Sequence, residues 1–75
     1  MVDQHNNALY FSRSAIPGNK GGRPRPDVRY LLHLGLQCFD RNFLSTYCAL
    51  PATPLQLAED LEQLKVLEYG HKMKV

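Results

Sequence analysis

Long polar side chains stand in several predicted elements at positions where a buried face would carry apolar residues. They are Arg13, His33, Gln37, Glu62 and Gln63. Buried polar groups need hydrogen-bond partners, and a hydroxyl-rich sugar acid would provide a carboxylate for the arginine and hydroxyls for the others. The competing interpretation is structural, because a strand histidine often pairs with a neighbouring carbonyl and a Glu-Gln pair on a helix is often solvated. The pattern alone leaves both interpretations open.

Other chemistries have no motif in the chain. A phosphate-cradling loop would need GxGxxG or GxxxxGK[ST], and neither is present. No His-Glu-x-x-His or paired Cys/His spacing predicts a zinc site, and no GxSxG elbow supports a serine hydrolase. Cys38 and Cys48 lack CxxC spacing and are predicted to be reduced and buried. No catalytic residue and no metal ligand is therefore assigned.

Composition and charge narrow the class of protein. The 75 residues carry a formal net charge of +2, and the basic residues gather in one stretch, residues 20–29. This distribution argues against a general nucleic-acid or membrane binder. His33 interrupts the longest apolar run, at residues 30–36, so no transmembrane span is predicted. The polar N-terminus is unlike a signal peptide, and a soluble, reducing, cytoplasmic setting is expected.

Residues 19–27, with the sequence NKGGRPRPD, predict a flexible basic loop. Within it, GRPRP is similar to a minor-groove AT-hook, which would make DNA binding an alternative function. The hook requires an arginine before its glycine, where this chain has Gly21. A solvated loop is therefore the favoured interpretation.

Three strands are predicted. Residues 8–12 form an aromatic run, and residues 71–75 indicate the beginning of a last strand. At the strand period of two, residues 28–39 place an apolar set on one face: Tyr30, Leu32, Leu34, Leu36 and Cys38. His33 and Gln37 share the other face, and Gly35 leaves an open space between them.

Two helices are predicted. Asp40 caps the first, which runs to Tyr47 with its buried side formed by Phe43, Leu44 and Tyr47. Thr53 caps the second, with Pro54 at the first helical position and Gln56 completing a capping box. This second helix is expected to run to Tyr69 and to stop at a left-handed Gly70. Its main apolar stripe is Leu57, Leu61 and Leu64.

The order strand, loop, strand, helix, helix, strand indicates part of an α/β sheet protein. A chain of 75 residues is near the lower size limit for a domain that folds unaided. The second predicted helix is apolar on two sides, since Leu55 and Val66 lie nearly opposite the main stripe. It needs partners that the chain does not supply, so residues 1–75 are expected to be a single incomplete domain.

Four motifs follow one another along residues 8–75. They are YFSR with a following IP at residues 10–17, HLGL at 33–36, PATPLQLAEDLEQL at 51–64 and KMKV at 72–75. In this order they resemble the C-terminal half of the CMP-KDO synthetase family, the 3-deoxy-manno-octulosonate (KDO) cytidylyltransferases. The sequence HLGLQ and the loop that begins with Asn19 and Lys20 are more similar to those of plant-type members of the family than to those of bacterial members.

The resemblance implies a nucleotide-diphospho-sugar transferase (Rossmann-like) fold. It also implies a reaction in which the anomeric hydroxyl of KDO attacks the α-phosphate of CTP, pyrophosphate leaves, and Mg²⁺ neutralises the phosphates. Arg13, His33, Glu62 and Gln63 match family positions that line the KDO pocket, while Gln37 stands where many bacterial members have tyrosine. The family is homodimeric, with residues 33–47 near the subunit contact, and its product serves lipopolysaccharide or pectic polymer synthesis.

The same resemblance implies that the nucleotide loop and the metal-binding aspartates of the family lie outside this chain. The loop and the first aspartate lie upstream, and the second lies in a DTPED-like segment just after Val75. We therefore expect a fragment that carries part of the acceptor-sugar site and does not turn over alone. The alternative is a non-catalytic interaction module that pairs with a full-length cytidylyltransferase subunit.

Overall fold

The computed structural model describes residues 1–75 and contains three short helices. They are α1 (Arg41–Ala49), α2 (Pro54–Glu59) and α3 (Gln63–Glu68). The only β-structure consists of two isolated antiparallel bridges, Val2 with Ala8 and Asn7 with Lys74. None of the helices has the length and apolar character needed to span a membrane.

Helix α1 begins as predicted, because the Asp40 carboxylate accepts hydrogen bonds from the main-chain N–H groups of Asn42 (2.9 Å) and Phe43 (3.2 Å). These bonds satisfy donors that have no partner inside the helix. The predicted buried side is only partly right: Phe43 and Tyr47 are half-buried, whereas Leu44 is exposed. An aromatic stack explains the difference, since the Phe39 ring lies 4.9 Å from the Tyr47 ring and 6.1 Å from the Phe43 ring.

The second predicted helix is divided into α2 and α3. Its start is confirmed: Pro54 is the first helical residue, and Gln56 Oε1 accepts from the Thr53 N–H at 3.4 Å. In a capping box the side chain of Thr53 would also accept from the main-chain N–H of Gln56. The two groups face each other here, but the buried Thr53 hydroxyl makes no hydrogen bond. The prediction of one continuous helix is wrong because Asp60 adopts the left-handed conformation (φ 52°, ψ 48°) and ends α2. Aspartate tolerates this conformation better than most residues.

The apolar stripe predicted for the undivided helix is therefore interrupted. Leu64 is fully buried, Leu61 is half-buried and Leu57 is exposed. The two short helices are held against each other by polar contacts, because Glu68 Oε2 accepts from the Leu55 N–H at 3.1 Å. The Lys65 ammonium connects α3 to the end of α1 instead, through a bond to the Leu50 carbonyl at 3.3 Å.

Helix α3 ends at Gly70 as predicted. This glycine has a φ of +81°, and its N–H donates to the Leu67 carbonyl, while the His71 N–H donates to the Val66 carbonyl. The two bonds form the Schellman arrangement, which satisfies carbonyls that would otherwise lack partners at the end of the helix. The positive φ explains why a residue without a Cβ stands here.

The predicted strands are not formed, so the structure does not confirm the predicted strand order. Between residues 8–12 and 71–75 the main-chain hydrogen bond is that from the Ala8 N–H to the Met73 carbonyl, 2.8 Å long, and the Val75 N–H donates instead to the Asn6 carbonyl, before the predicted strand, also at 2.8 Å. Residues 29–39, hereafter the extended segment, neither donate nor accept any main-chain hydrogen bond with another main-chain group. A strand requires a neighbouring backbone, and none lies beside this segment.

The basic loop at residues 19–27 contains no helix or strand. Asn19 organises it, because its carbonyl accepts from the Gly22 N–H at 2.9 Å and its side chain bonds the Arg23 carbonyl and the Gly21 N–H. Arg25 and Asp27 form an ion pair within the loop. The flexibility of the loop stays a prediction.

The core is very small for a chain of this length. Its buried hydrophobic residues are Ala8, Leu64 and Val66. The accessible surface is 6069 Å², compared with about 4700 Å² for an ordinary folded protein of this mass. Its radius of gyration is 13.7 Å, whereas a compact domain of this length has about 11 Å. Both quantities describe an open molecule, and the incomplete domain stays a prediction.

Exposed apolar side chains follow from the small core. Leu32 and Leu36 of the extended segment are 86% and 84% exposed. The prediction that Cys38 and Cys48 are buried is wrong, because both thiols are exposed. For Cys38 the physical reason is that the predicted apolar face of the extended segment pairs with no other strand, and the leucines of that face are exposed as well.

The left-handed stop of α3 gives a test of the fold. We expect Gly70→Ala to lower the free energy of unfolding by about 1 kcal/mol, because a Cβ is strained at a φ of +81° even though the space around it is open. Gly18→Ala is the matched control, since Gly18 also has open space but no positive φ. Urea unfolding followed by circular dichroism measures both, and equal effects of the two substitutions would contradict the assignment.

Candidate functional site

The carboxylate of Glu59, at the end of α2, accepts hydrogen bonds from the N-terminal segment, residues 10–13. Its Oε1 accepts from the Ser12 hydroxyl at 2.7 Å and from the Tyr10 hydroxyl at 3.4 Å, and its Oε2 accepts from the Arg13 N–H at 3.0 Å. We call these residues, Tyr10, Ser12, Arg13 and Glu59, the Glu59 cluster. It connects two parts of the chain that are far apart in sequence, and it uses both carboxylate oxygens to do so.

The Arg13 guanidinium covers the C-terminal end of α2. Its Nε donates to the Glu59 carbonyl at 2.6 Å and its Nη2 donates to the Asp60 carbonyl at 2.9 Å. Carbonyls at the end of a helix lack partners within the helix, and a positive charge is favourable there. The Asp60 carboxylate is 3.7 Å from Nη2 but is 97% exposed, so this ion pair adds little. Nη1 makes no hydrogen bond and stays available to a ligand.

His33 lies between two residues of different elements. Its ring centroid is 4.9 Å from that of Phe11, and its Nε2 is 2.9 Å from Nε2 of Gln63. An amide nitrogen can only donate, so Nε2 of the imidazole accepts and the ring proton is on Nδ1. Gln63 is 5% exposed and stands at the first position of α3. The structure thus brings two of the sequence-predicted positions, His33 and Gln63, into contact.

A large cavity lies beside this pair. Its volume is about 1220 Å³, and 17 of its 26 lining residues are hydrophobic. His33, Gln37 and Gln63 all line it, so three of the sequence-predicted positions share one space. Gln37 is half-buried and makes no hydrogen bond. Ser12 of the Glu59 cluster also lines the cavity, whereas Arg13 flanks it without lining it.

Glu62 is not brought to the cavity. Its Oε2 accepts from the Tyr47 hydroxyl at 3.2 Å, and the Lys65 ammonium sits 4.1 Å from the centre of the same tyrosine ring. This places the Glu62 carboxylate against α1. Of the Glu-Gln pair, only Gln63 lines the cavity. The contact of Glu62 with a sugar therefore stays a prediction.

The electrostatics of the site centre on Glu59. The Arg13 main-chain N–H, the Ser12 hydroxyl and the Tyr10 hydroxyl all stabilise its ionised form, which lowers the pKa of the Glu59 carboxyl below its ordinary value of 4.5. Desolvation and the nearby Glu59 charge raise the pKa of the Tyr10 hydroxyl. Desolvation, and then the hydrogen bond to Glu62, raise the pKa of the Tyr47 hydroxyl.

The chain shows no group of three or more His, Cys, Asp or Glu side chains that could hold a metal ion. Asp40, the acidic side chain among the cavity-lining residues, already accepts from two main-chain N–H groups of α1, and Glu59 is occupied by donors from three residues. The residues present therefore do not fit a Mg²⁺ site, since that ion prefers oxygen ligands that are free to bind it.

Two features of the site were not predicted from the sequence. Glu59 was not singled out, although it lies inside the PATPLQLAEDLEQL motif and the hydroxyls and arginine of YFSR require an acceptor. The break at Asp60 was also missed, although an aspartate within a helical pattern is a residue that tolerates the left-handed conformation. Both features depend on contacts between the N-terminal segment and α2.

The Glu59 cluster gives a pH-dependent prediction. Because the folded-state pKa of Glu59 is lowered, its stabilising contribution is complete above pH 4.5 and is lost as the pH falls through the lowered pKa. We expect the Arg13 amide resonance to titrate with a midpoint below 4.5. Ser12→Ala should move that midpoint upward, while Ser14→Ala, which removes a hydroxyl that does not contact Glu59, should leave it in place. A midpoint indifferent to Ser12 would contradict the cluster.

Comparison with known proteins gives the family. Residues 1–73 match the model of the family described as "Cytidylyltransferase". The chain is 60% identical over its whole length to "3-deoxy-manno-octulosonate cytidylyltransferase, mitochondrial" of Arabidopsis thaliana, covering 26% of that protein. It is 53% identical to "3-deoxy-manno-octulosonate cytidylyltransferase" of Protochlamydia amoebophila, covering all of this chain and 29% of the relative.

A third relative has a different substrate in its name. The "8-amino-3,8-dideoxy-manno-octulosonate cytidylyltransferase" of Shewanella baltica is 48% identical over the whole chain, which covers 29% of it. This chain thus spans between a quarter and a third of the length of these relatives. No solved structure matches it. With 73 of its 75 residues inside one family model, and with these relatives, the chain belongs to the cytidylyltransferase family and resembles its 3-deoxy-manno-octulosonate members.

Proposed function

We propose that this chain forms the acceptor-sugar side of a cytidylyltransferase that couples CTP and KDO to give CMP-KDO and pyrophosphate. The observation that carries the proposal is the His33–Gln63 pair, which projects polar atoms into a cavity that is otherwise mostly apolar. Sites of this composition use a few placed polar groups to orient a ligand. Membership of the cytidylyltransferase family supports a sugar acid as that ligand.

Each polar group has a distinct role in holding the sugar. Because Nε2 of His33 is occupied by Gln63, Nδ1–H is the donor that remains for a sugar hydroxyl. The unused Nη1 of Arg13 is suited to the sugar carboxylate through a charge-assisted hydrogen bond. Gln37 lines the same cavity and offers both a donor and an acceptor to a further hydroxyl. Together these groups would orient the anomeric hydroxyl for attack on the α-phosphate of CTP.

The nucleotide and the metal would be held elsewhere. In the complete enzyme Mg²⁺ would neutralise phosphate charge as pyrophosphate leaves, and positioning with charge neutralisation supplies most of the rate in such reactions. The described residues offer neither a phosphate loop nor a metal-binding group. We therefore expect the chain to bind and orient the sugar without turnover of its own.

The partner that completes the site is, in this proposal, the remaining part of a cytidylyltransferase. The surface of the chain exceeds that of an ordinary protein of its mass by about 1400 Å², which is more than the roughly 800 Å² that each partner buries in a standard protein interface. The extended segment has an unpaired backbone and exposed leucines, so it is suited to join a sheet supplied by that part. An α/β, Rossmann-like sheet would be completed in this way.

The same exposed surface favours a second candidate, a non-catalytic module that pairs with a full-length cytidylyltransferase subunit. A homodimer through residues 33–47 would use the same part of the chain. A role in lipopolysaccharide or pectic polymer synthesis belongs to this proposal, as does a cytoplasmic location. The Arabidopsis relative is named as mitochondrial, which is a different compartment from the one proposed for this chain.

Binding of KDO to the isolated chain tests the proposal. We expect KDO to shift the ¹⁵N–¹H resonances of Arg13, His33 and Gln63, with Gln63→Ala weakening the affinity by up to about tenfold, as expected for one lost hydrogen bond. Gln4→Ala is the matched control, because Gln4 is exposed and makes no hydrogen bond. If KDO shifts none of these resonances, or if Gln63→Ala and Gln4→Ala lower the affinity equally, the sugar site is refuted.

Activity of a reconstituted enzyme is the second test. We expect no pyrophosphate release from the chain with CTP, KDO and Mg²⁺, and release when it is co-expressed with the remaining part, about three quarters, of the Arabidopsis relative. A chain that turns over alone would refute the incomplete site. Co-purification with a full-length subunit but not with that remaining part would favour the interaction module.

A further inference from the structure

Residues 10–12 of the Glu59 cluster make two sets of contacts. Tyr10 and Ser12, two residues apart, both donate to the Glu59 carboxylate. Phe11, between them, contacts a different residue, because its ring lies 4.9 Å from the ring of His33. One carboxylate thus sets the direction in which Phe11 meets His33.

The other neighbour of His33 depends on the same carboxylate region. Gln63 begins α3, three positions after the break at Asp60. The Arg13 guanidinium bonds the Glu59 and Asp60 carbonyls at that break, and the Arg13 N–H bonds Glu59 Oε2. The position at which α3 begins, and hence the place of the Gln63 amide, follows from this attachment.

His33 has no restraint from its own segment. The extended segment makes no main-chain hydrogen bond with another main-chain group, and Gly35, two residues on, has nothing within 4 Å of the place where a Cβ would be. The contacts that hold the imidazole are the Phe11 ring and the Gln63 amide. Anything that holds both of these residues therefore holds His33.

We propose that Glu59 is a positioning residue for His33. Its carboxylate fixes Phe11 on one side of the imidazole and, through Arg13, the start of α3 with Gln63 on the other. The result is one orientation and one tautomer of His33, with Nε2 accepting and Nδ1–H left for a ligand. The contribution of this fixed His33 ring to sugar binding rests on the proposed function. The tautomer of His33 itself can be measured without any sugar.

Glu59→Gln is the test variant. An amide keeps one accepting oxygen and replaces the other with a donor, so it cannot accept from both the Ser12 hydroxyl and the Arg13 N–H. We expect the two ring ¹⁵N resonances of His33, recorded at about pH 8 where an ordinary histidine is neutral, to change from a single tautomer to a mixture. Asp60→Asn is the matched control, because that carboxylate is 97% exposed and should leave the resonances unchanged.

Phe11→Leu is the second variant and does not touch the hydrogen bonds of the Glu59 cluster. We expect it to mix the His33 tautomers as Glu59→Gln does, while the Arg13 amide keeps its wild-type position. Even if Glu59→Gln fails to fold, this variant tests the step of the proposal in which Phe11 orients His33. A single tautomer in Phe11→Leu, an equal effect of Asp60→Asn, or mixed tautomers in the wild-type chain would each overturn the proposal.

KDO affinity, measured on the same variants, separates this inference from the proposed function. We expect Glu59→Gln and Phe11→Leu each to weaken KDO binding by about tenfold, the loss of one oriented hydrogen bond. If the wild type shows the single tautomer but no KDO binding, the proposed function is wrong and the positioning role stands. If the wild type binds KDO and the variants bind it equally well, the positioning role is wrong and the proposed function stands.

Discussion

The arrangement of this chain depends on one carboxylate. Glu59 accepts hydrogen bonds from Tyr10, Ser12 and Arg13, which are separated from it by between 46 and 49 residues in sequence. These hydrogen bonds contribute a larger share of the contacts between distant segments than they would in an ordinary domain, because the buried hydrophobic residues are only Ala8, Leu64 and Val66. A larger core would hold the N-terminal segment against the helices by apolar burial. In this chain polar contacts define where that segment lies, and the cavity and its polar lining follow from it.

Local chemistry was predictable from the sequence, and contacts between distant segments were not. The Asp40 cap, the start at Thr53 and Pro54, and the stop at Gly70 each depend on a few neighbouring residues, and each is present. The break at Asp60 depends on an arginine far away in sequence that satisfies the freed carbonyls. The strands depend on a backbone that no described residue supplies, so alternation along residues 28–39 predicts their faces but not their pairing.

The candidate site shows the same division. Strand periodicity places His33 and Gln37 on one face, and both line the cavity, but so do Leu32, Leu34 and Leu36 of the opposite predicted face. Gln63 is a polar residue at a position expected to be apolar, and its burial to 5% exposure shows why it needs a partner. Glu59 could not be distinguished from a solvated helix glutamate, because its role comes entirely from donors in the YFSR motif. The motif order identified the family, while the geometry identified which of its polar residues hold the others.

The exposed backbone of the extended segment has a consequence for the chain in the cell. A run of alternating leucines with free N–H and C=O groups is a template for pairing with any other unpaired strand, including the same segment of a neighbouring molecule. Arg29 and Asp40 flank the run with charge, as gatekeeper residues do, and Gly35 lowers its strand propensity. Aggregation and recognition by chaperones therefore compete with assembly for the same eleven residues, 29–39.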